Sequence, residues 1–298
     1  MKTPSYLKKG DTVAIVCTAR KFSAIEAAPA IAVLEAWGLQ VKLGTTIGLD
    51  NFQLGGSDQE RIADFQTQLD DPEVKAIWCA RGGYGTVRII DHIKFDAFIE
   101  SPKWIIGFSD VTVLHSHIHN LGVETLHAIM AFSVVNTTQS SIDSLKQQLF
   151  GEKVRYEIAT VSHNRKGSAS GVLVGGNLSI LYSVLGSDSA IDTRDKILFI
   201  EDLDEYLYHI DRMLYNLDRN GLLKNLKGLI VGGMTDMKDN AIPFGLDAKE
   251  IILESAKKYN FPICFDFPTG HLKENLALKL GHQVNFIVDD AKTSLEFL

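Results

Sequence analysis

The sequence predicts an α/β fold in two domains, and three observations support this prediction. First, the chain opens with a strand, a helix and a second strand at residues 11–17, 25–37 and 39–43. Such a unit is typical of a parallel sheet with helices on its faces. Second, short apolar runs rich in branched side chains recur along the chain, and several end in glycine-rich turns. Third, 298 residues are enough for two domains of ordinary size.

The composition is that of a globular protein, and it excludes several classes of partner. Hydrophobic residues make up 45% of the chain and charged residues 22%. Because the net charge is −7 and no long basic tract occurs, neither nucleic acid nor a membrane surface is expected as a partner. We find no signal peptide and no apolar run of the roughly 20 residues that a membrane span needs. Cys17, Cys79 and Cys264 lack metal-type spacing, which predicts reduced thiols and a cytoplasmic protein.

The N-terminal half continues the alternation of strands and helices. The predicted elements are an irregular stretch at 44–58, a helix at 60–69, strands at 74–79, 104–106 and 125–128, and a polar loop at 133–141. Together with the opening unit they define a predicted N-terminal domain at residues 1–150.

A serine lies at a sharp turn between the strand at 104–106 and an apolar, helix-compatible segment at 111–118. In such a turn the hydroxyl of Ser109 projects out of the fold, and the first amides of the helix point towards the group that it would attack. This arrangement is a nucleophile elbow, although Val111 occupies the position of the usual second glycine. The alternative is that Ser109 only caps the next helix.

A glycine-rich loop at residues 81–85 (RGGYG) follows the strand at 74–79 and precedes an apolar segment at 87–90 that we predict to be helical. Its three glycines predict a tight turn with exposed backbone N–H groups. A nucleotide site is not favoured, because the loop does not open the first βαβ unit and no Walker lysine follows. The loop is either an oxyanion site facing Ser109 or a turn that only needs glycine.

Three alternating histidines, His115, His117 and His119, follow the serine. A metal site is one interpretation of this pattern. On a helix, however, side chains two positions apart point about 200° away from each other. We therefore interpret them as helix-face residues and expect no metal site.

The composition changes near Gly151, where a polar stretch at 151–170 indicates a linker or a crossing strand. A C-terminal domain is predicted at 171–298. Its predicted elements are a strand with a Gly-Gly-Asn turn at 171–177, a helix at 178–185, a strand at 196–205, a helix at 209–217, a strand at 229–233, a helix at 248–259, a strand at 262–266 and a closing hairpin at 277–288.

The strand at 196–205 ends in four acids: Glu201, Asp202, Asp204 and Glu205. Acids at this end of a core strand lie where active sites form in open α/β sheets. His271 follows a glycine on a loop after the strand at 262–266, where an imidazole is accessible; such a histidine can also be ordinary polar surface. Serine, acid and histidine are the minimum set for acyl transfer, because the serine needs a base and the base needs a carboxylate.

Five motifs, in this order and spacing, resemble the serine LD-carboxypeptidases, known as muramoyltetrapeptide carboxypeptidases, and their relatives the microcin C immunity hydrolases. The motifs are RGGYG at 81–85, GFSD at 107–110, GGNLS at 175–179, FIED at 199–202 with HIDRM at 209–213, and Gly-His at 270–271. Together they span nearly the whole chain. In this family an aspartate follows the nucleophile, and Asp110 matches it.

The resemblance implies a role for each of several residues. Ser109 is then the nucleophile, His271 the general base and acid, and Glu201 the acid that orients the histidine. The backbone N–H groups of Asp110 and Gly83 are implied as the oxyanion hole.

The resemblance also implies a fold and a substrate. The fold is an N-terminal α/β domain like class I glutamine amidotransferases plus a smaller C-terminal α/β domain, with the active site in the cleft between them, often in a homodimer. The family cleaves the bond between an L-centre, of lysine or meso-diaminopimelate, and a terminal D-alanine. It acts in the cytoplasm during murein recycling, without a metal or other cofactor. The terminal carboxylate needs donors, for which Arg81 and Gly82 are our candidates.

Three alternative functions remain beside cleavage of the murein tetrapeptide. The microcin subgroup, which cuts acyl-sulfamoyl or peptidyl-nucleotide amides, carries an aromatic-bearing loop insertion that stacks on the nucleobase. We find no such insertion between residues 187 and 196 and rank this function second. A non-catalytic binding protein of two α/β lobes ranks third, and it would not react with a serine-directed fluorophosphonate. A glutaminase ranks fourth, because it would have a cysteine in place of Ser109.

Overall fold

Two β-sheets form the framework of the protein, and the computed structural model describes residues 1–298. The strands are β1 Thr12–Val16, β2 Gln40–Leu43, β3 Val74–Cys79, β4 Trp104–Gly107, β5 Thr125–His127, β6 Arg155–Ala159, β7 Gly167–Asn177, β8 Ile197–Leu203, β9 Gly228–Thr235, β10 Ile263–Cys264, β11 Leu278–Leu280, β12 Gln283–Val288 and β13 Lys292–Phe297. The α-helices are α1 Ala24–Ala36, α2 Asp58–Asp70, α3 Asp96–Glu100, α4 Thr112–Asn120, α5 Gln139–Leu149, α6 Leu178–Ser183, α7 Leu207–Arg219 and α8 Ala248–Ser255. The predicted α/β fold class is confirmed. None of the helices is both long and apolar enough to span a membrane.

The first sheet has six strands in the order β11-β5-β4-β3-β1-β2. The strands β1 to β5 run parallel, and β11 is antiparallel to β5. Neighbouring residues on a strand face opposite sides, so Trp78 packs with α1 on one face and Ile77 with α2 and α4 on the other. Burial on both faces explains why the inner strands β1 and β4 are nearly continuous apolar runs.

The second sheet has seven strands in the order β10-β9-β8-β7-β12-β13-β6. Its β10 to β7 half is parallel, and its β7 to β6 half is antiparallel. The helices α7 and α8 pack on one face through residues such as Ile210 and Ile251. On the other face, Phe199 packs against Phe286 of β12.

The two sheets are joined by a contact between the end of β7 and the start of α4. The backbone N–H of Asn177 donates to Thr112 Oγ1 at 3.0 Å. Gly176 has a φ of +146°, and a Cβ there would lie 2.5 Å from the same oxygen. Only glycine permits this approach, which brings the carboxyl end of the second sheet close to the turn after β4.

Two predictions about the C-terminal half need correction. For the segment 151–170 the linker interpretation is wrong and the strand interpretation holds, because β6 and the start of β7 are strands of the second sheet. Its polar composition reflects the edge position of β6, where buried and exposed side chains alternate. The closing hairpin at 277–288 is also wrong: β11 pairs with β5 of the first sheet, whereas β12 pairs with β7 and β13. Residues 171–298 therefore do not all belong to the second sheet.

Two local predictions in the N-terminal half also differ from the structure. Helix α5 occupies the end of the predicted polar loop and extends beyond it, and its apolar residues Leu145 and Leu149 are buried. Thr138 begins this helix by accepting the backbone N–H of Ser141. The segment predicted to be helical at 87–90 forms two short 3₁₀ turns instead, Thr86–Arg88 and Ile90–His92. All three cysteines are buried free thiols.

Candidate active site

Ser109 lies at the turn that connects β4 to α4, and its φ is +61°. This left-handed conformation is uncommon for a residue other than glycine. Gly107 permits the sharp turn, since a Cβ there would lie 2.8 Å from Val111 Cγ2. Ser109 does not cap α4, because Val111 holds the cap position and no side chain caps the helix. The turn presents the serine hydroxyl to a cleft, as in a nucleophile elbow.

The imidazole of His271 lies between Ser109 and Glu201. Its Nε2 is 3.1 Å from Ser109 Oγ, and its Nδ1 is 2.6 Å from Glu201 Oε2. The same Glu201 oxygen accepts the backbone N–H of His271 at 3.2 Å. When Nδ1–H donates to the carboxylate, Nε2 is free to accept the serine proton. The structure thus brings together the three side chains that the sequence singled out.

Of the four acids near the end of β8, Glu201 is the one that contacts His271, and its side chain is fully buried. The other three have partners of their own: Asn177 for Asp202, Lys238 for Asp204 and His209 for Glu205. Glu201, the acid that the family resemblance implies, is therefore the one in contact with the histidine.

The backbone on either side of His271 is held in place. Gly270 has a φ of +106°, and a Cβ there would lie 2.7 Å from Glu201 Cβ. Its N–H donates to Asn275 Oδ1 at 3.0 Å, and Thr235 Oγ1 donates to the carbonyl oxygen of His271 at 2.9 Å. Glycine is needed at 270 because the loop passes directly over the carboxylate. Asn275 supports this loop and was not found from the sequence.

The surroundings of His271 favour its charged form. Burial lowers the pKa of His271, but the negative charge of Glu201 and the hydrogen bond to it outweigh burial, so that the pKa is raised above its ordinary value. The ring packs against Phe108, with 4.8 Å between the ring centroids. Glu201 Oε1 accepts no hydrogen bond from the protein. The imidazolium that forms during proton transfer is therefore stabilised by a carboxylate in a dry environment.

The glycine-rich loop after β3 passes beside the serine. A Cβ at Gly82 would lie 3.4 Å from Ser109 Oγ, so the loop backbone lies against the hydroxyl. Gly83 is exposed, and its φ is +106°. Both sequence-predicted loop residues therefore border the serine side of the cleft.

Two buried charged side chains hold this loop in place: Asp110 ties its end to the nucleophile turn, and Arg61 ties it to the segment after β1. Asp110 Oδ2 accepts the backbone N–H of Thr86 at 2.9 Å. Arg61 Nη1 donates to the carbonyl oxygens of Gly85 at 2.9 Å and of Thr18 at 2.6 Å. Burial raises the pKa of Asp110, while the hydrogen bonds from Thr86 and the charge of Arg61 oppose this effect. The residue after the nucleophile thus fixes the position of the glycine loop.

The cleft has a volume of about 580 Å³ and is lined from both sheets. The first sheet contributes two cations, Arg20 and Arg81, and the second sheet contributes three acids, Asp202, Asp204 and Glu205. Ser109 lines the same cleft. Such a cleft suits a ligand with a negative group at one end and a positive group at the other.

Asp202 lines the cleft and is buried beside Glu201. Burial raises the pKa of Asp202 to about 7, and the neighbouring Glu201 charge adds to this effect. Its carboxyl group accepts N–H groups from the side chain of Asn177 at 2.9 Å and from the backbone of Ser179 at 2.8 Å. Asn177 caps α6 by accepting the backbone N–H of Ile180, and it also lines the cleft.

The alternating histidines have separate roles. His115 bonds to the carbonyl oxygen of Gly107 and to Thr125 Oγ1, both at 2.8 Å, and so supports the end of β4. His117 bonds to Ser189, and His119 is buried. No group of three or more histidine, cysteine, aspartate or glutamate side chains is arranged to hold a metal ion.

Arg20 is the cleft residue that the sequence reasoning missed. The available signal was its position just after β1, at the carboxyl end of a parallel strand, where ligands bind in open α/β sheets. Nothing in the local sequence distinguishes this arginine from an ordinary surface cation.

Comparison with known proteins agrees with the fold class. The LD-carboxypeptidase N-terminal domain matches residues 13–128, and the LD-carboxypeptidase C-terminal domain matches residues 170–286. The probable murein peptide carboxypeptidase of Bacillus subtilis is 37% identical over 293 residues, which cover 93% of this chain and 89% of that protein.

Solved structures share the fold over nearly the whole chain. The muramoyltetrapeptide carboxypeptidase of Oxalobacter formigenes superposes with a TM-score of 0.87 at 25% identity, covering 96% of this chain and 98% of that one. The MccF-like protein of Bacillus anthracis also gives a TM-score of 0.87 at 25% identity, covering 100% and 99% of the two chains. The two domain matches and the extent of the relatives show that this chain belongs to the LD-carboxypeptidase family.

Proposed function

We propose that the protein is a serine LD-carboxypeptidase that releases the terminal D-alanine from murein tetrapeptides. The observation that carries the proposal is the contact series from Ser109 through His271 to buried Glu201, at the edge of an open cleft. The names of two relatives support the substrate: a murein peptide carboxypeptidase and a muramoyltetrapeptide carboxypeptidase.

In the proposed reaction, His271 Nε2 takes the proton of Ser109 Oγ as the oxygen attacks the amide carbon before D-alanine. The tetrahedral intermediate collapses when His271 donates this proton to the leaving nitrogen, which releases D-alanine and leaves an ester on the serine. Water, deprotonated by His271, then attacks the ester carbon; the bond to Ser109 Oγ breaks, His271 returns the proton to this oxygen, and the shortened peptide leaves as the acid. Glu201 keeps the imidazole in the required tautomer and stabilises its charged form.

The backbone N–H groups of Asp110 and Gly83 are proposed as the oxyanion hole. Asp110 is the second residue of the 3₁₀ turn Ser109–Val111 that leads into α4, and Gly83 lies one residue beyond the glycine that contacts the serine. The loss of one such donor typically costs about 10²–10³ in rate. The hydrogen bond from Thr86 to the Asp110 carboxylate supports the proposal, because it fixes the two strand-end loops relative to each other.

The charge distribution of the cleft supports a zwitterionic peptide as substrate. Arg81 and the Gly82 backbone line the side from which the glycine loop approaches, and we propose that they contact the leaving D-alanine. The acids from the second sheet lie on the other side, where the amino groups of the diamino acid would bind.

Hydrolysis of a peptidyl-nucleotide amide is the second candidate, since an MccF-like protein shares the fold. In this chain the segment between α6 and β8 is short. Its Ser189 carbonyl accepts the hydroxyl of Ser116 on α4, and Asn120 of α4 donates to the carbonyls of Asp188 and Ala190. Residues 184–196 contain no aromatic side chain that could stack on a base. The tetrapeptide is therefore favoured.

The experiment is to measure D-alanine release from purified murein tetrapeptide by the wild-type protein, with Ser109→Ala and an EDTA arm in parallel. Release that survives EDTA and is lost with the serine supports the reaction class and the nucleophile. If a serine-directed fluorophosphonate labels the protein but no D-alanine appears, a peptidyl-nucleotide amide becomes the substrate to test. If neither labelling nor release occurs, the protein is a binding protein.

The proposal includes action in the cytoplasm and a homodimer, as the family resemblance implies. Light scattering after size-exclusion chromatography measures the mass of the assembly, and a value near the monomer mass of 32.9 kDa would refute the dimer. Cell fractionation tests the location.

A further inference from the structure

Arg20 lies over the glycine loop, next to the proposed oxyanion donor. A Cβ at Gly83 would lie 2.5 Å from Arg20 Nε and 2.6 Å from Arg20 Cδ, so the arginine side chain occupies the space that a side chain at 83 would take. The backbone N–H of Arg20 also donates to the carbonyl oxygen of Gly82 at 3.4 Å. Glycine at 83 therefore leaves room for the arginine beside the serine.

The guanidinium group of Arg20 has no partner within the protein. It forms no ion pair and donates no side-chain hydrogen bond, whereas neighbouring Lys21 pairs with Asp50 at 2.6 Å. Arg81, the other cation of the cleft, stacks on Phe132 with 4.2 Å from Cζ to the ring centroid, and its Nη1 is 4.0 Å from Glu26 Oε1. Of the two arginines, Arg20 is the one with its charge and donors fully available to a ligand.

The chemistry of the reaction defines what this arginine faces. In the substrate, the terminal carboxylate is attached to the carbon that follows the scissile nitrogen. In the substrate pose that belongs to this inference, the carbonyl carbon is at Ser109, its oxygen points to Gly83, and the leaving D-alanine extends along the glycine loop. A planar guanidinium is well matched to a carboxylate, which it can bind through two parallel hydrogen bonds.

We propose that Arg20 is the principal binding residue for the terminal carboxylate of the substrate. The inference rests on the proposed carboxypeptidase function and adds the residue that makes the enzyme select a free C-terminus. Arg81, held by Phe132 and Glu26, then lies beyond the carboxylate and contributes less.

The test compares a murein tetrapeptide ending in D-alanine with the same peptide ending in D-alaninamide, using the wild type, Arg20→Ala and Arg81→Ala. Lys21→Ala is the matched control, because it removes the adjacent cation, which is paired with Asp50 outside the cleft. We expect Arg20→Ala to lower kcat/KM for the free acid about 10- to 100-fold, the size of a lost charge-assisted contact, with little effect on the amide. Lys21→Ala should behave as the wild type with both peptides.

A second measurement separates binding from structure. A fluorophosphonate carries no carboxylate, so Arg20→Ala should label Ser109 at the wild-type rate. The inference is overturned if Arg20→Ala cleaves the free acid like the wild type, if labelling and cleavage fall together, or if the wild type does not prefer the free acid. If Arg81→Ala lowers kcat/KM for the free acid more than Arg20→Ala does, the inference is also overturned, and Arg81 is the residue that binds the carboxylate. Failure of the wild type to cleave either peptide would instead refute the proposed function.

Discussion

The carboxylate of Glu201 accepts two hydrogen bonds from His271 through one oxygen, from ring Nδ1 at 2.6 Å and from the backbone N–H at 3.2 Å. The first bond sets the tautomer of the imidazole, and the second ties the loop to the same buried atom. A change in this carboxylate therefore affects both the pKa and the position of His271.

Ser109→Ala and His271→Ala should each lower kcat for D-alanine release by about 10³-fold or more, because the proposed nucleophile and base act as one unit. Both proteins should retain the wild-type circular dichroism spectrum, since neither side chain is part of an apolar core. Ser183→Ala, a change at an exposed serine outside the cleft, is the control. Wild-type rates in either active-site variant would refute the proposed roles.

Glu201→Gln should lower the plateau rate less than those two changes and should shift the pH profile. The proposed base is active when neutral, so the rate rises as pH passes upwards through the pKa of His271. In the wild type this pKa is raised because the charge of Glu201 and its hydrogen bond outweigh burial. Without that charge the pKa falls, and the acid limb of kcat/KM should move to lower pH. An unmoved or alkaline-shifted limb would contradict the assignment.

Gly270→Ala should reduce kcat strongly although it adds only one methyl group. The new Cβ would lie 2.7 Å from Glu201 Cβ, so the loop carrying His271 or the carboxylate must move. Gly245→Ala is a matched control, because Gly245 also has a positive φ, +92°, but nothing within 4 Å of the added Cβ. In both variants alanine is strained by the positive φ, which should lower the free energy of unfolding by about 1 kcal/mol, as denaturant unfolding would measure. Equal activities in the two variants would show that the contact with Glu201 is unimportant.

Asp110→Ala should lower kcat about 10- to 100-fold with a smaller change in KM, because it removes the acceptor that fixes the glycine loop beside the nucleophile. Asp110→Asn keeps an oxygen that can accept the N–H of Thr86 and should restore much of the rate. Steady-state kinetics of both variants give the kcat and KM values that test this prediction. Equal losses in the two variants would point to the charge of Asp110 rather than to the position of the loop.

The local pattern of the sequence was sufficient for most of the elements and for the key side chains. Parallel strands buried on both faces are apolar over most of their length, so β1, β3, β4 and β8 are recognisable from their residues alone. Functional groups in such folds follow the carboxyl ends of strands, which is why Ser109, Glu201 and the glycine loop could be singled out. The order and spacing of the five motifs were enough to indicate the family.

Strand partners and long-range contacts could not be predicted in this way. An apolar run shows that β11 is a strand, but the choice between pairing with β12 and pairing with β5 depends on the packing of the whole first sheet. The edge strand β6 is half polar, so its sequence resembles a linker.

The sequence by itself determined the fold class, the family and the identities of the serine, histidine and acids. The tertiary structure decided how Glu201 is bonded to His271, how Asp110 and Arg61 hold the glycine loop, and that Arg20 reaches the cleft with its charge unpaired. The physical reason is the range of the interactions. Hydrophobic periodicity and turn chemistry act over a few neighbouring residues, whereas a hydrogen bond between residues 201 and 271 exists only after both sheets have formed and packed together.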